Sequence, residues 1–159
     1  MKEQLIETEP AMSIVNKCLV VTLQGELYDE ALLRIRTDIL EKIQATKVRG
    51  MILDLCTVRT LDSFAFDFLA DTARMASLLG VATVFVGLQP GVVSSLVDLD
   101  VELADVQTAL TMEDGFEELK NVLSIHGDLQ DAEELDNTSI EDEAWKSDVE
   151  ERRALANEE

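Results

Sequence analysis

The stretch from residue 50 to 80 constrains the fold more than any other part of the sequence, because it combines a buried strand, a polar turn and a long apolar helix. The run MILDL at residues 51–55 contains a single charge, at Asp54. So continuous an apolar run is typical of a parallel strand that is covered on both faces. The sequence therefore predicts an α/β domain with helices packed against the sheet.

The helix after this strand is predicted from the spacing of its apolar residues. Asp62 or Ser63 can cap its start, since a short side-chain oxygen accepts a hydrogen bond from an amide of the first turn. Gly80 is expected to end it. The predicted inner stripe consists of Ala65, Leu69, Ala73 and Ala76, flanked by Phe66 and Phe68.

The other elements are predicted from hydrophobic period and turn residues. Together they indicate a mixed, mostly parallel sheet of four to five strands packed with about four helices. In chain order they are a hairpin in residues 11–24 turning at Asn16 and Lys17, a helix over 29–45, a buried strand over 81–87, a short helix from Pro90 to near Leu99, a weak edge strand over 101–106, and a last helix from Thr111 to about residue 124.

The composition changes at Gly127. Residues 127–159 hold 13 acids and three bases, a net charge of −10 out of −20 for the whole chain. So polar a segment buries too little apolar surface to offset its ordering entropy, which predicts a domain over residues 1–126 and a mostly disordered acidic tail over residues 127–159. A capping box from Thr138 to Glu141 and the tryptophan Trp145 leave open a marginal helix that folds on a partner.

Charge and residue types exclude several classes of function. A net charge of −20 argues against nucleic acid and anionic membranes as partners. No apolar run reaches membrane-span length and no signal peptide is apparent, so a cytoplasmic location is expected. Cys18 and Cys56 lie in apolar runs and are expected to be buried, inert thiols. The single histidine, His126, provides neither a catalytic triad nor a metal site.

The order of elements, and three local features within it, resemble the STAS domain of bacterial anti-sigma factor antagonists over residues 11–124. Within that family the sequence is most similar to the S-type scaffold subunit of the stressosome. The features are Asp62-Ser63-Phe64 after the central strand, Met75-Ala76-Ser77-Leu78-Leu79-Gly80 at the end of the next helix, and Gly87-Leu88-Gln89-Pro90 after the following strand.

The resemblance implies a non-enzymatic protein whose Ser63 is phosphorylated by a serine kinase that is also the switch protein. Ser95 lies near the place of a second acceptor in R-type subunits. Asp62, Phe64, Gln89 and Pro90 would then contact partners. The implied partners are that kinase, an R-type STAS paralogue and a serine phosphatase, in a large hetero-oligomer without cofactor or metal.

Other functions remain open from the residues alone. The protein would otherwise be a free antagonist that binds an anti-sigma kinase, or a STAS accessory subunit of a transporter. An enzyme is disfavoured, because there is no GxGxxG or GxxxxGK[ST] motif and no base to activate Ser63. The alternative interpretation of Ser63 is a capping residue without a further role. If it is not the acceptor, Ser95 and Thr60 are the next candidates.

Overall fold

The computed structural model describes residues 10–99 and 106–125, which form a five-stranded sheet with helices on both faces. The predicted α/β class is confirmed. The strands are β1 (Ala11–Val15), β2 (Cys18–Thr22), β3 (Gly50–Asp54), β4 (Ala82–Val86) and β5 (Gln107–Ala109). The helices are α1 (Asp29–Ala45), α2 (Ser63–Leu78), α3 (Pro90–Asp98) and α4 (Met112–Ile125).

The strands lie in the sheet in chain order, β1-β2-β3-β4-β5. β1 and β2 form the predicted antiparallel hairpin, and the pairs from β2 to β5 are parallel. The hairpin turns at Asn16 and Lys17, whose φ angles are 55° and 58°. Two positive φ angles are what a two-residue turn needs to follow the twist of its strands.

The two faces of the sheet carry different cores. On one face, Met51 and Leu53 of β3 belong to a large core that includes buried residues of α1, α2 and α3. On the other face, Ile52 packs in a smaller core with Leu119 and Leu123 of α4. Both faces of β3 are therefore covered, as its continuous apolar run predicts.

The edge strand is not where the sequence analysis put it. β5 covers Gln107–Ala109 and pairs with the last three residues of β4, whereas Val106 belongs to no strand and residues 101–105 lie outside the described ranges. The β5 side chains are exposed or half-buried, so they follow no alternating apolar pattern. Backbone pairing defines β5, so hydrophobic period alone could not locate it.

The described residues do not reach the predicted tail over residues 127–159, nor His126 and Trp145. The boundary after residue 126 therefore stays a prediction. Within residues 10–99 and 106–125, no helix is both long enough and apolar enough to span a membrane.

Candidate functional site

The loops after β3 and β4 meet at the edge of the sheet where the parallel strands end, here called the carboxyl edge. The Leu55 amide donates a hydrogen bond to the Val86 carbonyl over 2.9 Å. The Gln89 side-chain amide donates to the Cys56 carbonyl over 2.5 Å. Side chains from two separate βα units are thereby held together at the place where α/β proteins bind their ligands and partners.

Gly87 allows this close approach of the two loops. Its φ angle is +73°, and a Cβ atom added there would lie 2.8 Å from Cβ of Cys56 and 3.0 Å from the Cys56 backbone nitrogen. A side chain would therefore be strained by the backbone and would also collide with the neighbouring loop. The backbone conformation and the close approach to Cys56 therefore explain why the Gly-Leu-Gln-Pro sequence begins with a glycine.

The start of α2 is capped by Asp62. Its Oδ1 atom accepts a hydrogen bond from the Ala65 amide over 2.7 Å, and its carbonyl accepts one from the Phe66 amide over 3.0 Å. Of the two capping residues that the sequence allowed, Asp62 is the cap, and Ser63 is the first residue of the helix. The interpretation of Ser63 as the capping side chain is therefore wrong.

Ser63 is half-buried, and its hydroxyl makes no hydrogen bond to another residue of the described ranges. It lies in the first turn of a helix, where amide groups lack intrahelical acceptors and the helix dipole favours negative charge. An anion attached to this hydroxyl would find a favourable field. The local structure thus suits a hydroxyl that receives a phosphoryl group.

An aromatic surface adjoins Ser63. The Phe64 side chain is 54% exposed, and its ring centroid lies 6.1 Å from that of Phe68 in the next turn. The Arg36 guanidinium of α1 lies 3.5 Å from the Phe68 ring centroid and donates to the Thr72 hydroxyl over 3.0 Å. A large, exposed aromatic on a rigid support is a common anchor in protein interfaces.

The remaining predicted site residues divide into two groups. Gln89 and Pro90 lie at the start of α3, where Pro90 occupies the first turn as predicted. Ser95 lies on the exposed surface of α3, outside both loops, and its hydroxyl donates to the Gly91 carbonyl over 2.9 Å. Thr60 is exposed in the loop before α2. The structure therefore joins the loops of Ser63 and Gln89 at one edge and leaves Ser95 on a separate surface.

The two thiols differ, although the sequence analysis expected both to be buried. Cys18 is buried, and burial raises the pKa of its thiol to about 12. Cys56 is exposed, because β3 ends at Asp54 and the chain then turns. The Asp54 carboxylate accepts a hydrogen bond from the Cys56 amide over 3.0 Å. The pKa of the Cys56 thiol is raised, first by a side-chain hydrogen bond with Asp54, then by partial burial and by repulsion from the Asp54 charge. The expected burial of Cys56 is therefore wrong, whereas its inertness stays a prediction.

The sequence matches a known family. The model of the STAS domain matches residues 9–115 of the sequence. The chain belongs to the STAS domain family. The five-stranded, mostly parallel sheet with its four helices is thus a STAS fold.

Individual STAS proteins resemble the chain over most of the described residues. The RsbT co-antagonist protein RsbRD of Bacillus subtilis is 26% identical over 108 residues, which cover 67% of this chain and 39% of that protein. The chain thus matches well under half the length of this curated relative.

Solved structures match more completely. A variant of RsbS from Moorella thermoacetica is 26% identical with a TM-score of 0.64, covering 74% of this chain and 99% of that one. A chain of the stressosome, described as a signal integration and transduction hub, is 28% identical with a TM-score of 0.61, covering 70% and 97%. The anti-sigma factor antagonist SpoIIAA, at 18% identity, TM-score 0.57 and coverage of 71% and 97%, shares the fold.

The sequence analysis missed part of the site. It named Asp62, Ser63, Phe64, Gln89 and Pro90, but not the contact through Cys56 that joins their loops. Asp54 signalled the turn at Cys56, since Asp accepts from the amide two positions later, but this signal does not identify Gln89 as the partner of the Cys56 carbonyl.

Proposed function

We propose that this STAS protein is a phosphorylation-controlled scaffold or antagonist. It sequesters a switch serine kinase in a stressosome-like assembly and releases the kinase when Ser63 is phosphorylated, thereby regulating a stress response. The further proposed partners are an R-type STAS paralogue and a serine phosphatase. In this role the protein is not an enzyme and needs no cofactor, and its ATP-using kinase partner places it in the cytoplasm.

The position of Ser63 carries the proposal. The hydroxyl lies in the first turn of α2, beside the cap Asp62 and the exposed ring of Phe64, and no described residue accepts its hydrogen bond. Because Asp62 makes the capping bond, modification of Ser63 leaves the cap intact. The acceptor is thus separated from the interaction that stabilises the helix.

Phosphorylation would change binding at this surface more than folding. A phosphoserine carries about −1.5 to −2 charges at neutral pH. The helix N-terminus stabilises an anion by roughly 0.3–1 kcal/mol at an exposed site, which supports the fold. Two carboxylates already lie near Ser63 along the chain: Asp62 directly precedes it, and Asp67 follows one helical turn later. A partner packed against Phe64 would therefore have to desolvate a cluster of negative charge, which favours its release.

The test is intact-mass spectrometry after incubation with the cognate serine kinase and Mg-ATP. The wild-type chain should gain one phosphoryl group and Ser63→Ala none, while Ser95→Ala and Thr60→Val should be phosphorylated like the wild type. Ser63→Ala should unfold at nearly the wild-type denaturant concentration, because Asp62 is the cap. Equal phosphate incorporation in wild type and Ser63→Ala would contradict the proposal.

Binding of the kinase is tested separately. Ser63→Ala should retain the kinase in the presence of ATP, whereas the wild type should release it. Phe64→Ala should weaken binding by about tenfold or more, as expected for an aromatic anchor. The molar mass of the chain mixed with an R-type paralogue distinguishes a large scaffold from a free antagonist, which would stay small.

A further inference from the structure

The opposite edge of the sheet, where the parallel strands begin, carries a cluster of cations. Lys17 precedes β2, and Lys47 and Arg49 precede β3. The Arg49 amide donates a hydrogen bond to the Lys17 carbonyl over 3.0 Å, so the two loops are adjacent. Together Lys17, Lys47 and Arg49, here called the basic edge cluster, line a hollow of about 430 Å³ that also includes Leu79, at the end of α2.

The basic edge cluster is unusual in a chain with a net charge of −20. There is no acid in residues 42–53 or 72–97, which supply two of the loops at this edge, and the acid nearest to Lys47 along the chain is Glu41 of α1. The carboxyl ends of α1, α2, α3 and α4 each add a partial charge of about −0.5, which is less in total than the three cations. Residues 98–106, which precede β5, add four acids in sequence, so the excess of cations is confined to the loops before β2 and β3.

Helix α4 leads the chain to the basic edge cluster. It begins after β5 at the carboxyl edge, and Leu123 near its end lines a small hollow with Lys17 and Arg49. Leu119, one turn earlier, lies against Gly50 at the start of β3. The residues after Ile125 therefore leave the domain beside the cations.

The sequence that follows α4 has the complementary charge. Residues 127–145 contain eight acids and no base. Asp128 is only five residues after Leu123, a span of at most about 17 Å for an extended chain. Because the two charge sets lie on one chain, their local concentration is high and their encounter needs no loss of translational freedom.

We propose that the acidic segment of residues 127–145 docks on the basic edge cluster of the same molecule. Its carboxylates bind the ammonium and guanidinium groups of Lys17, Lys47 and Arg49. The docked segment covers the edge opposite Ser63, so the proposal does not depend on the phosphorylation of that serine.

Carbodiimide cross-linking of the full chain, followed by peptide mass spectrometry, tests the docking. At low salt, Lys17 and Lys47 should form amide cross-links to acids of residues 127–145 in several-fold higher yield than Lys42, which lies outside the cluster in α1. In about 1 M NaCl the preference should be lost, because the Debye length falls to roughly 3 Å. Cross-links of equal yield at Lys17, Lys47 and Lys42, or a preference that salt does not change, would overturn the proposal.

A matched pair of variants makes the test specific. Arg49→Gln removes one charge of the cluster but leaves both reactive lysines, so cross-linking at Lys17 and Lys47 should fall several-fold. Arg34→Gln removes one charge from α1 outside the cluster and should leave the yields unchanged, with circular dichroism confirming that both variants are folded. Mixing isotopically heavy and light chains identifies links between molecules, and a majority of such links would overturn docking within one chain.

Discussion

At the scale of single residues, the site depends on backbone contacts between two loops. Gly87 touches Cys56 so closely that no side chain fits, and Gln89 then donates to the Cys56 carbonyl. The loop after β4 thereby fixes the loop that leads from β3 toward Ser63. A substitution at Gly87 should therefore disturb the loop that leads from β3 to Ser63, although Gly87 has no side chain to lose.

We expect Gly87→Ala to lower the free energy of unfolding by at least about 1–2 kcal/mol, the cost of a side chain in the left-handed region, with the collision against Cys56 added. Gly91→Ala is the matched control, because an added Cβ there has no atom within 4 Å and alanine suits a helix better than glycine. Urea unfolding of both variants checks this. Equal stability of the two would contradict the reason given for Gly87.

Sequence patterns identified the important residues but not their contacts. The Asp-Ser-Phe sequence was predicted to lie at the start of a helix, and it does. The cap could not be assigned to Asp62 or Ser63, since both side chains are chemically able to accept the same amide. Cys56 was misplaced because an apolar run does not show where a strand stops, and here the strand stops at Asp54.

At the scale of elements, Arg36 joins the two long helices on the larger core. Its guanidinium lies over the ring of Phe68 and donates to the Phe68 carbonyl and to the Thr72 hydroxyl, both over 3.0 Å. Thr72 is fully buried and its hydroxyl also donates to the Phe68 carbonyl. These bonds hold the first half of α2, including the support of Phe64, against α1.

Arg36→Ala should destabilise the fold by about 1–3 kcal/mol, because hydrogen bonds from a charged donor and the contact with the ring are lost together. Arg36→Lys keeps the charge but lacks the planar fork, so it should recover only part of the loss. Chemical denaturation measures both. Full recovery by lysine would show that charge alone, and not the bidentate geometry, connects the helices.

Element boundaries followed from the sequence wherever side chains are buried. The helix over residues 29–45 and β2 lie where hydrophobic period placed them, and the mostly exposed β1 was located from the turn at Asn16 and Lys17. Hydrophobic period did not locate β5, because β5 is defined by backbone pairing with Val84, Phe85 and Val86 and its own side chains are not buried. Period reports burial, so it has no information about such a strand.

At the scale of the whole molecule, the smaller core determines where the domain must end. The family match ends at residue 115, but Leu119 and Leu123 of α4 are buried against Ile52 and Val84. The folded unit therefore has to include α4. The predicted boundary after residue 126 agrees with this requirement.

A chain that ends after residue 126 should keep one cooperative unfolding transition, because it retains both cores and loses only a segment with a net charge of −10. A chain that ends after residue 117 should lose that transition, since removing a buried leucine side chain alone costs about 2–5 kcal/mol. Calorimetry of the two proteins checks the boundary. Loss of cooperativity in the longer one would make residues 127–159 part of the core.

The order of the sheet has a consequence for synthesis on the ribosome. Each strand pairs with the strand made just before it, so the larger core can begin to assemble while later residues are still being translated. The second face has to wait, because its cover, α4, is made after every strand. Until then Ile52, Val84 and Val86 present an apolar sheet face to water. Transiently exposed apolar surface of this kind promotes aggregation, so unfinished copies are expected to aggregate through this face until α4 covers it.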